Sequence, residues 1–265
     1  QNDCTAYLRV QKMKHSLNII SSVVSSTLRQ WHGSAGSKSV KQPPQMLILF
    51  DNENNPECRL VREALTELNL DVLIYPCPQG ADRFAVQLQQ YGGSNTSVPF
   101  LVDPNSHVKL EGAEAINAYL FQQYKQAPIP KHLDANKVNL FTSRLASIAR
   151  LRGAIQVKAS REPQQPLMLY SFESSPYSRP VRERLCELQL PYHLINLGKQ
   201  QFADVGPASF RFHLGEYHPL PNTKRATLLA QKGQVQVPFL IDPNQSIELL
   251  ESKDILAYLD KTYAQ

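Results

Sequence analysis

One stretch of this chain is written twice, and the repetition limits what it can fold into. Leu60-Val-Arg-Glu-Ala-Leu-Thr-Glu-Leu-Asn-Leu70 returns 120 residues later as Pro180-Val-Arg-Glu-Arg-Leu-Cys-Glu-Leu-Gln-Leu190. Val98-Pro-Phe-Leu-Val-Asp-Pro-Asn105 returns 139 residues later as Val237-Pro-Phe-Leu-Ile-Asp-Pro-Asn244. The chain is therefore two copies of one module, and the second carries 19 extra residues between its motifs. A length of 265 residues is enough for two cores. The modules are placed at 46–124 and 167–265, preceded by segments 1–45 and 125–166.

The net charge of +5 is unevenly distributed. Residues 1–45 hold six Lys/Arg against one acid, and residues 125–166 hold eight against two. Module one has four against ten, and module two has ten of each. Nucleic-acid binders place bases on the folded surface beside stacking aromatics, and that pattern is absent. The basic segments fit an anionic membrane surface, an acidic protein complex, or a merely solvated linker. Cys4, Cys58, Cys77 and Cys186 form neither a spaced framework nor a metal-ligand pattern, which fits a reducing intracellular compartment. No apolar run reaches a membrane span, since Leu17–Val24 is broken by Ser21 and Ser22. Residues 13–45 are Ser-rich and free of acids, like a transit peptide, with Met13 as an alternative start. A similar basic stretch precedes module two in mid-chain, where no targeting signal acts. Both are expected to be structural.

Apolar periodicity predicts the same elements in each module. In the first these are strand Met46–Phe50, helix Cys58–Leu68, strand Val72–Tyr75, helix Ala81–Tyr91, strands at 98–102 and 108–110, and a helix at 113–124. In the second, strand Met168–Phe172 precedes a helix opened by Ser174-Ser-Pro, with Val181, Leu185 and Leu188 as its inward stripe. Strands Tyr192–Leu197, Val237–Ile241 and Ile247–Leu249 follow, then a helix from Ser252 to about Tyr263 with Ile255, Leu256 and Leu259 inward. Ahead of each module lies an amphipathic helix. Its stripe is Leu17, Ile20, Val24, Leu28 and Trp31 before Gly33, and Phe141, Leu145, Ile148 and Leu151 before Gly153. Such a stripe packs on one of the modules, or docks on a membrane or a larger complex.

This order, with Val-Pro before the strand pair, Ser-Pro-Tyr-Ser-Arg at a helix start and Glu-Ser-Lys-Asp-Ile before the last helix, resembles the thioredoxin fold. More narrowly it resembles glutaredoxins and the amino-terminal domain of glutathione transferases. The tandem arrangement is similar to double transferase-domain proteins of cyanobacteria and chloroplasts, which implies cyanobacterial cytoplasm or plastid stroma, with a thylakoid-peripheral position as one option. The fold expected is α/β: two tandem thioredoxin-like domains, each preceded by a basic amphipathic helix.

The resemblance implies glutathione as ligand and no metal. In that fold the proline of Val-Pro is cis and turns the preceding backbone toward glutathione, which adds like a strand. Val98 and Pro99, and Val237 and Pro238, are the corresponding pairs. A Glu-Ser pair at the last helix grips the γ-glutamyl end, the acid taking the ammonium and the hydroxyl and helix N-terminus the carboxylate. Module two has Glu251-Ser252, whereas module one has Gly112-Ala113, which offers neither side chain. At the first helix glutaredoxins use Cys-Pro-x-Cys. This chain has Asn55-Pro-Glu-Cys58 and Ser175-Pro-Tyr-Ser178, so neither module keeps the attacking thiol and dithiol exchange within one module is excluded.

Ser175 matches the hydroxyl with which serine-type transferases stabilise glutathione thiolate, and it also serves as a helix cap. Cys58, beside Arg59 and one turn from Arg62, is a candidate redox thiol of lowered pKa. Cys186 reads as packing. The expected protein binds glutathione in module two, with weak or no transferase activity, module one being degenerate. The alternative is a non-catalytic scaffold, assembly or membrane-peripheral subunit of a larger complex, a photosynthetic one among the options. True transferases add an all-helical domain that walls the electrophile site. Unless module one, the linker or the insertion at about 198–222 supplies that wall, no second-substrate site is expected.

Overall fold

The computed structural model describes residues 2–38, 40–150, 153–207, 210–211 and 215–265, with side chains from residue 13 onward. Module one is built from β1 (Leu47–Asp51), α2 (Pro56–Glu67), β2 (Val72–Pro76), α3 (Ala85–Gly92), β3 (Phe100–Asp103), β4 (Val108–Glu111) and α4 (Ala113–Lys125), preceded by α1 (Asn2–Leu28). After α5 (Lys137–Ile148), module two repeats the order as β5 (Leu167–Ser171), α6 (Arg179–Glu187), β6 (Tyr192–Asn196), α7 (Lys224–Lys232), β7 (Phe239–Asp242), β8 (Ile247–Leu249) and α8 (Ser252–Tyr263). Element order and type follow the periodicity, and ends shift by a few residues: the helix expected from Ala81 begins at Ala85. The mixed α/β, twice-repeated thioredoxin-like fold is as expected. α7 sits after the insertion, where Thr223 accepts a bond from Ala226 N–H at its start and Gly233, with φ +71°, ends it.

The sequence gives no hint that both modules share one sheet. Its strand order is β4-β3-β1-β2-β6-β5-β7-β8, and β2 and β6 meet antiparallel at the centre. Leu73 pairs with His193, its own counterpart in the repeat, so a pseudo-twofold axis passes through that pair. Each module alone would expose β2 or β6 as a bare edge, with unpaired N–H and C=O groups open to aggregation. Joining the edges removes both.

Alternation along the strands divides the cores. Leu47 and Leu49 of β1, with Leu167 and Leu169 of β5, face one cluster that runs without a break from α2 and α4 to α6 and α8. Ile48 and Phe50 point to the other face, where Phe84 and Leu88 of the α3 region cover them. α7 does the same for module two through Leu228.

A charged layer lies where the modules meet. Arg62 of α2 bonds Asp51 at 2.7 Å and reaches across to Glu173 at 3.0 Å. Arg182 of α6 reaches back to Glu53 at 3.0 Å and also bonds Glu173 at 3.0 Å. Arg59 and Arg179 lie 3.8 Å from Glu173 and hydrogen-bond Ser25 and Ser147, and Ser26, respectively. All seven charged groups are buried. α1 and α5 are the lid on this layer, so their serine faces turn inward.

That corrects the inward apolar stripe and part of the basic-surface expectation. Arg150 is buried and paired with Glu183 at 2.6 Å, and Arg29 is buried and paired with Glu63 at 2.6 Å. Neither is an interaction surface. Leu151 and Arg152 lie outside the described residues.

Candidate functional site

The turn Glu173–Ser178 leads from β5 into α6 and is held from outside its own module. Ser26 of α1 donates to the Ser174 carbonyl at 2.8 Å, and Ser174 N–H donates to the Gly33 carbonyl at 3.2 Å. Gly33 has to be glycine here: its φ is +75°, and a Cβ would sit 2.8 Å from Glu173 Cβ. Arg182 fixes the Glu173 carbonyl at 2.9 Å. The N-terminal segment and the charged layer thus set the position of the next residue, Ser175.

Ser175 is buried, and its Oγ accepts from Ser178 N–H at 3.3 Å. A hydroxyl that accepts there still has its proton to donate, so capping and donation toward the cavity are compatible. Val237-Pro238 is a cis peptide, as is Val98-Pro99. Glu251 precedes α8, exposed, and its carboxylate accepts from Gln236 Nε2 at 2.6 Å. Ser252 opens α8, buried, with its Oγ 3.4 Å from His15 Nε2 of α1. Burial, then Lys253, pushes the His15 pKa down, so the imidazole is neutral at pH 7.

Ser175, Val237, Pro238, Glu251 and Ser252 all line one cavity of ≈ 740 Å³. This lies within the range of small-molecule sites. None of its lining residues comes from 46–124. Trp31 and Ser34 of the N-terminal segment close one side, and Lys199, Val205, Pro207 and Arg211 close another. Segment 1–45 and the insertion therefore both contribute to the walls of this cavity. Sequence reasoning missed Trp31 because it was assigned to a packing stripe. It missed Lys199 and Arg211 because the insertion has no counterpart in module one, and Arg225 because α7 was not resolved into residues.

The wall carries the cations Lys199, Arg211 and Arg225 and one carboxylate, Asp204, 3.8 Å from Arg225. Lys199 Nζ lies 5.0 Å from the Phe172 ring centroid, and burial, followed by Arg225, lowers its pKa to about 8. Arg211 stacks on Tyr217 at 3.9 Å and bonds the Val235 carbonyl. Arg225 is buried and donates to the Leu197 carbonyl at 2.6 Å.

Module one has filled the corresponding place with its own side chain. Glu57, in the position of Tyr177, sends its carboxylate to Ala113 N–H at the start of α4, 3.3 Å away. That N–H is where a ligand carboxylate would sit at α8 in module two. Asn55, in the place of Ser175, spends its side-chain oxygen on Glu57 N–H at 2.8 Å and Cys58 N–H at 3.1 Å. The signal was in the sequence, as an acid two residues after Asn55, the Ser175 equivalent, but only the fold shows what it faces.

Cys58 does not behave as its neighbours suggest. It is fully buried, and burial, then Asp51, drives its pKa well above the ordinary thiol value. Arg59 and Arg62 direct their guanidiniums into the charged layer instead of at the sulfur, which accepts from Asn52 N–H at 3.4 Å. The lowered pKa expected for a redox thiol is corrected. Cys186 is likewise buried, and its pKa is raised by the same desolvation. Both thiols should resist an aromatic disulfide reagent in the folded protein and react on unfolding. Fast labelling of Cys58 under native conditions would refute this burial argument.

A family profile for the glutathione S-transferase N-terminal domain matches residues 49–128 and 169–265. No curated protein and no solved structure matches the chain. With both modules covered by one profile, and each folded as thioredoxin-like β-α-β-α-β-β-α, the chain belongs to the glutathione S-transferase N-terminal-domain family.

Proposed function

We propose that this is a glutathione-binding protein whose single working site is the cavity of module two. The observation that carries the reading is the convergence of Ser175, Val237, Pro238, Glu251 and Ser252 on that one cavity. Glutathione is an ammonium, two carboxylates and a thiol on one chain. Glu251 suits the ammonium, and Ser252 with the α8 N-terminus suits the neighbouring carboxylate. The cations at the far wall suit the second carboxylate, and Ser175 suits the sulfur. Module one takes no glutathione, because Gly112-Ala113 offers neither gripping side chain and Glu57 already uses the α4 N-terminus.

Transferase activity is weak or absent on this reading. The cavity leaves room for a second reactant against Trp31 and Tyr177, but the chemistry at hand is limited to a hydroxyl donor. A dithiol mechanism has no attacking thiol. The protein is of the cyanobacterial or plastid double-domain type and works in a reducing compartment. The rival reading, a non-catalytic assembly or membrane-peripheral subunit, draws on the apolar faces of α1 and α5.

Calorimetric titration of the full chain with reduced glutathione tests the proposal. Trp31, the only tryptophan, lines the cavity, so its emission should follow the same isotherm. Glu251→Ala should weaken binding about tenfold, near the lower end for loss of a charge-assisted contact. Glu57→Ala should leave it unchanged. Absence of binding, or equal loss with Glu57→Ala, would sink the assignment to module two.

A further inference from the structure

α1 and α5 are amphipathic in an inverted sense. Toward the protein they turn Ser22, Ser25 and Ser26, and Ser143, Ala146 and Ser147, all buried. The hydroxyls of Ser25, Ser26 and Ser147 serve the guanidiniums beneath, and Ser143 donates to the Pro56 carbonyl, so the polar face is the one the fold needs inside. Away from the protein they turn Leu17, Ile20 and Val24, and Phe141, Leu145 and Ile148. Ile20 is 58% exposed, Phe141 61% and Ile148 69%. The helices lie antiparallel side by side. Arg29, just past α1, bonds Thr142 of α5 at 2.7 Å, and Arg150, just past α5, bonds the Asn18 carbonyl of α1 at 2.7 Å. The two stripes adjoin as one apolar surface, of the kind that marks an interaction site.

The charges beside the stripe identify what covers it. Lys14, Lys137 and Arg144 are exposed on the same two helices, and residues 13–31 and 137–150 contain no Asp or Glu. A second copy seated on this face would set cations against cations with no carboxylate to answer them. An anionic lipid surface accepts both the apolar stripe and the flanking cations. Among the described residues no helix is long and apolar enough to cross a membrane.

We infer that α1 and α5 lie together in the interface of an anionic bilayer, as a two-helix platform that carries the glutathione-family modules on its inner side. The inference stands on the exposed face and does not depend on ligand binding in module two.

Sedimentation of the full chain with vesicles of equal parts phosphatidylcholine and phosphatidylglycerol tests it. The protein should pellet with these vesicles, not with pure phosphatidylcholine, and added salt should weaken the association. The double variant Ile20→Glu/Phe141→Glu should lose roughly tenfold or more of the binding. Both side chains are exposed, so its circular dichroism and unfolding midpoint should match the parent. Lys137→Glu/Arg144→Glu should bind weakly and keep the same fold. No vesicle binding, or equal binding by parent and Ile20→Glu/Phe141→Glu, would overturn the inference. So would a dimer in sedimentation equilibrium that Phe141→Glu dissolves without any vesicle binding, since the face would then be a self-interface.

Discussion

Glu173→Ala should lower the unfolding free energy by about 3–5 kcal/mol, the range for removing one partner of a buried ion pair. Glu173 is the hub of the layer between the modules: Arg62 and Arg182 each bond it at 3.0 Å, and Arg59 and Arg179 lie at 3.8 Å. Without it, four buried guanidiniums face only Asp51 and Glu53. Chemical denaturation of the full chain measures the loss, and an unchanged midpoint would refute the account.

The same residue gives a pH signature. Burial alone would raise its pKa, but Arg182, Arg62, Arg179 and Arg59 outweigh burial and hold it at about 2, against an ordinary value of 4.5. A folded pKa below the unfolded one means stability that is complete above about 4.5 and lost as pH falls toward 2. The acid limb of stability across that window should be flatter in Glu173→Gln. Because Glu173 lies two residues before Ser175 and its carbonyl is held by Arg182, glutathione binding should weaken in these variants as well.

Ser175→Ala should raise the apparent pKa of bound glutathione by about 1–2 units, the equivalent of one lost charge-assisted hydrogen bond. Thiolate absorbance of the saturated complex measures it. The dissociation constant at low pH should hardly move, since the hydroxyl acts on the sulfur and not on the γ-glutamyl end. Disulfide reduction should stay near background in parent and variant. Robust reductase activity that survives Ser175→Ala and vanishes with Cys58→Ser would move the active centre to module one. The burial of Cys58 argues against that outcome.

Local pattern was enough for the elements. Short apolar runs placed β1, β2 and β5, alternation placed β6, and the Val181, Leu185, Leu188 stripe placed the buried face of α6. The same stripe logic failed for α1 and α5. Leu17, Ile20 and Val24 were legible as one face, yet periodicity states only that two faces differ. Which face is buried depends on the partner, and here the partner is a set of guanidiniums that hydroxyls satisfy and leucines do not. The repeated Val-Arg-Glu at 61–63 and 181–183 was visible as a repeat, but no local pattern marks its arginines as buried. For Cys58 the reasoning from neighbouring cations was sound as electrostatics and wrong in direction, because desolvation of a fully buried thiol outweighs cations aimed elsewhere.

By itself the sequence determined that two thioredoxin-like modules follow each other, that only the second has Glu-Ser before its last helix, and that neither has an attacking cysteine. These are properties of short segments, settled by residues near in the chain. The tertiary structure alone decided that β2 and β6 join the modules into one sheet, and that Glu53 and Glu173 cross the junction to Arg182 and Arg62. It alone brought Trp31 and the insertion to the cavity of module two, and Glu57 to the N-terminus of α4. Each is a contact between residues far apart in sequence. Hydrogen-bond and charge complementarity select such contacts only once the backbones have been brought together, and no local periodicity records them.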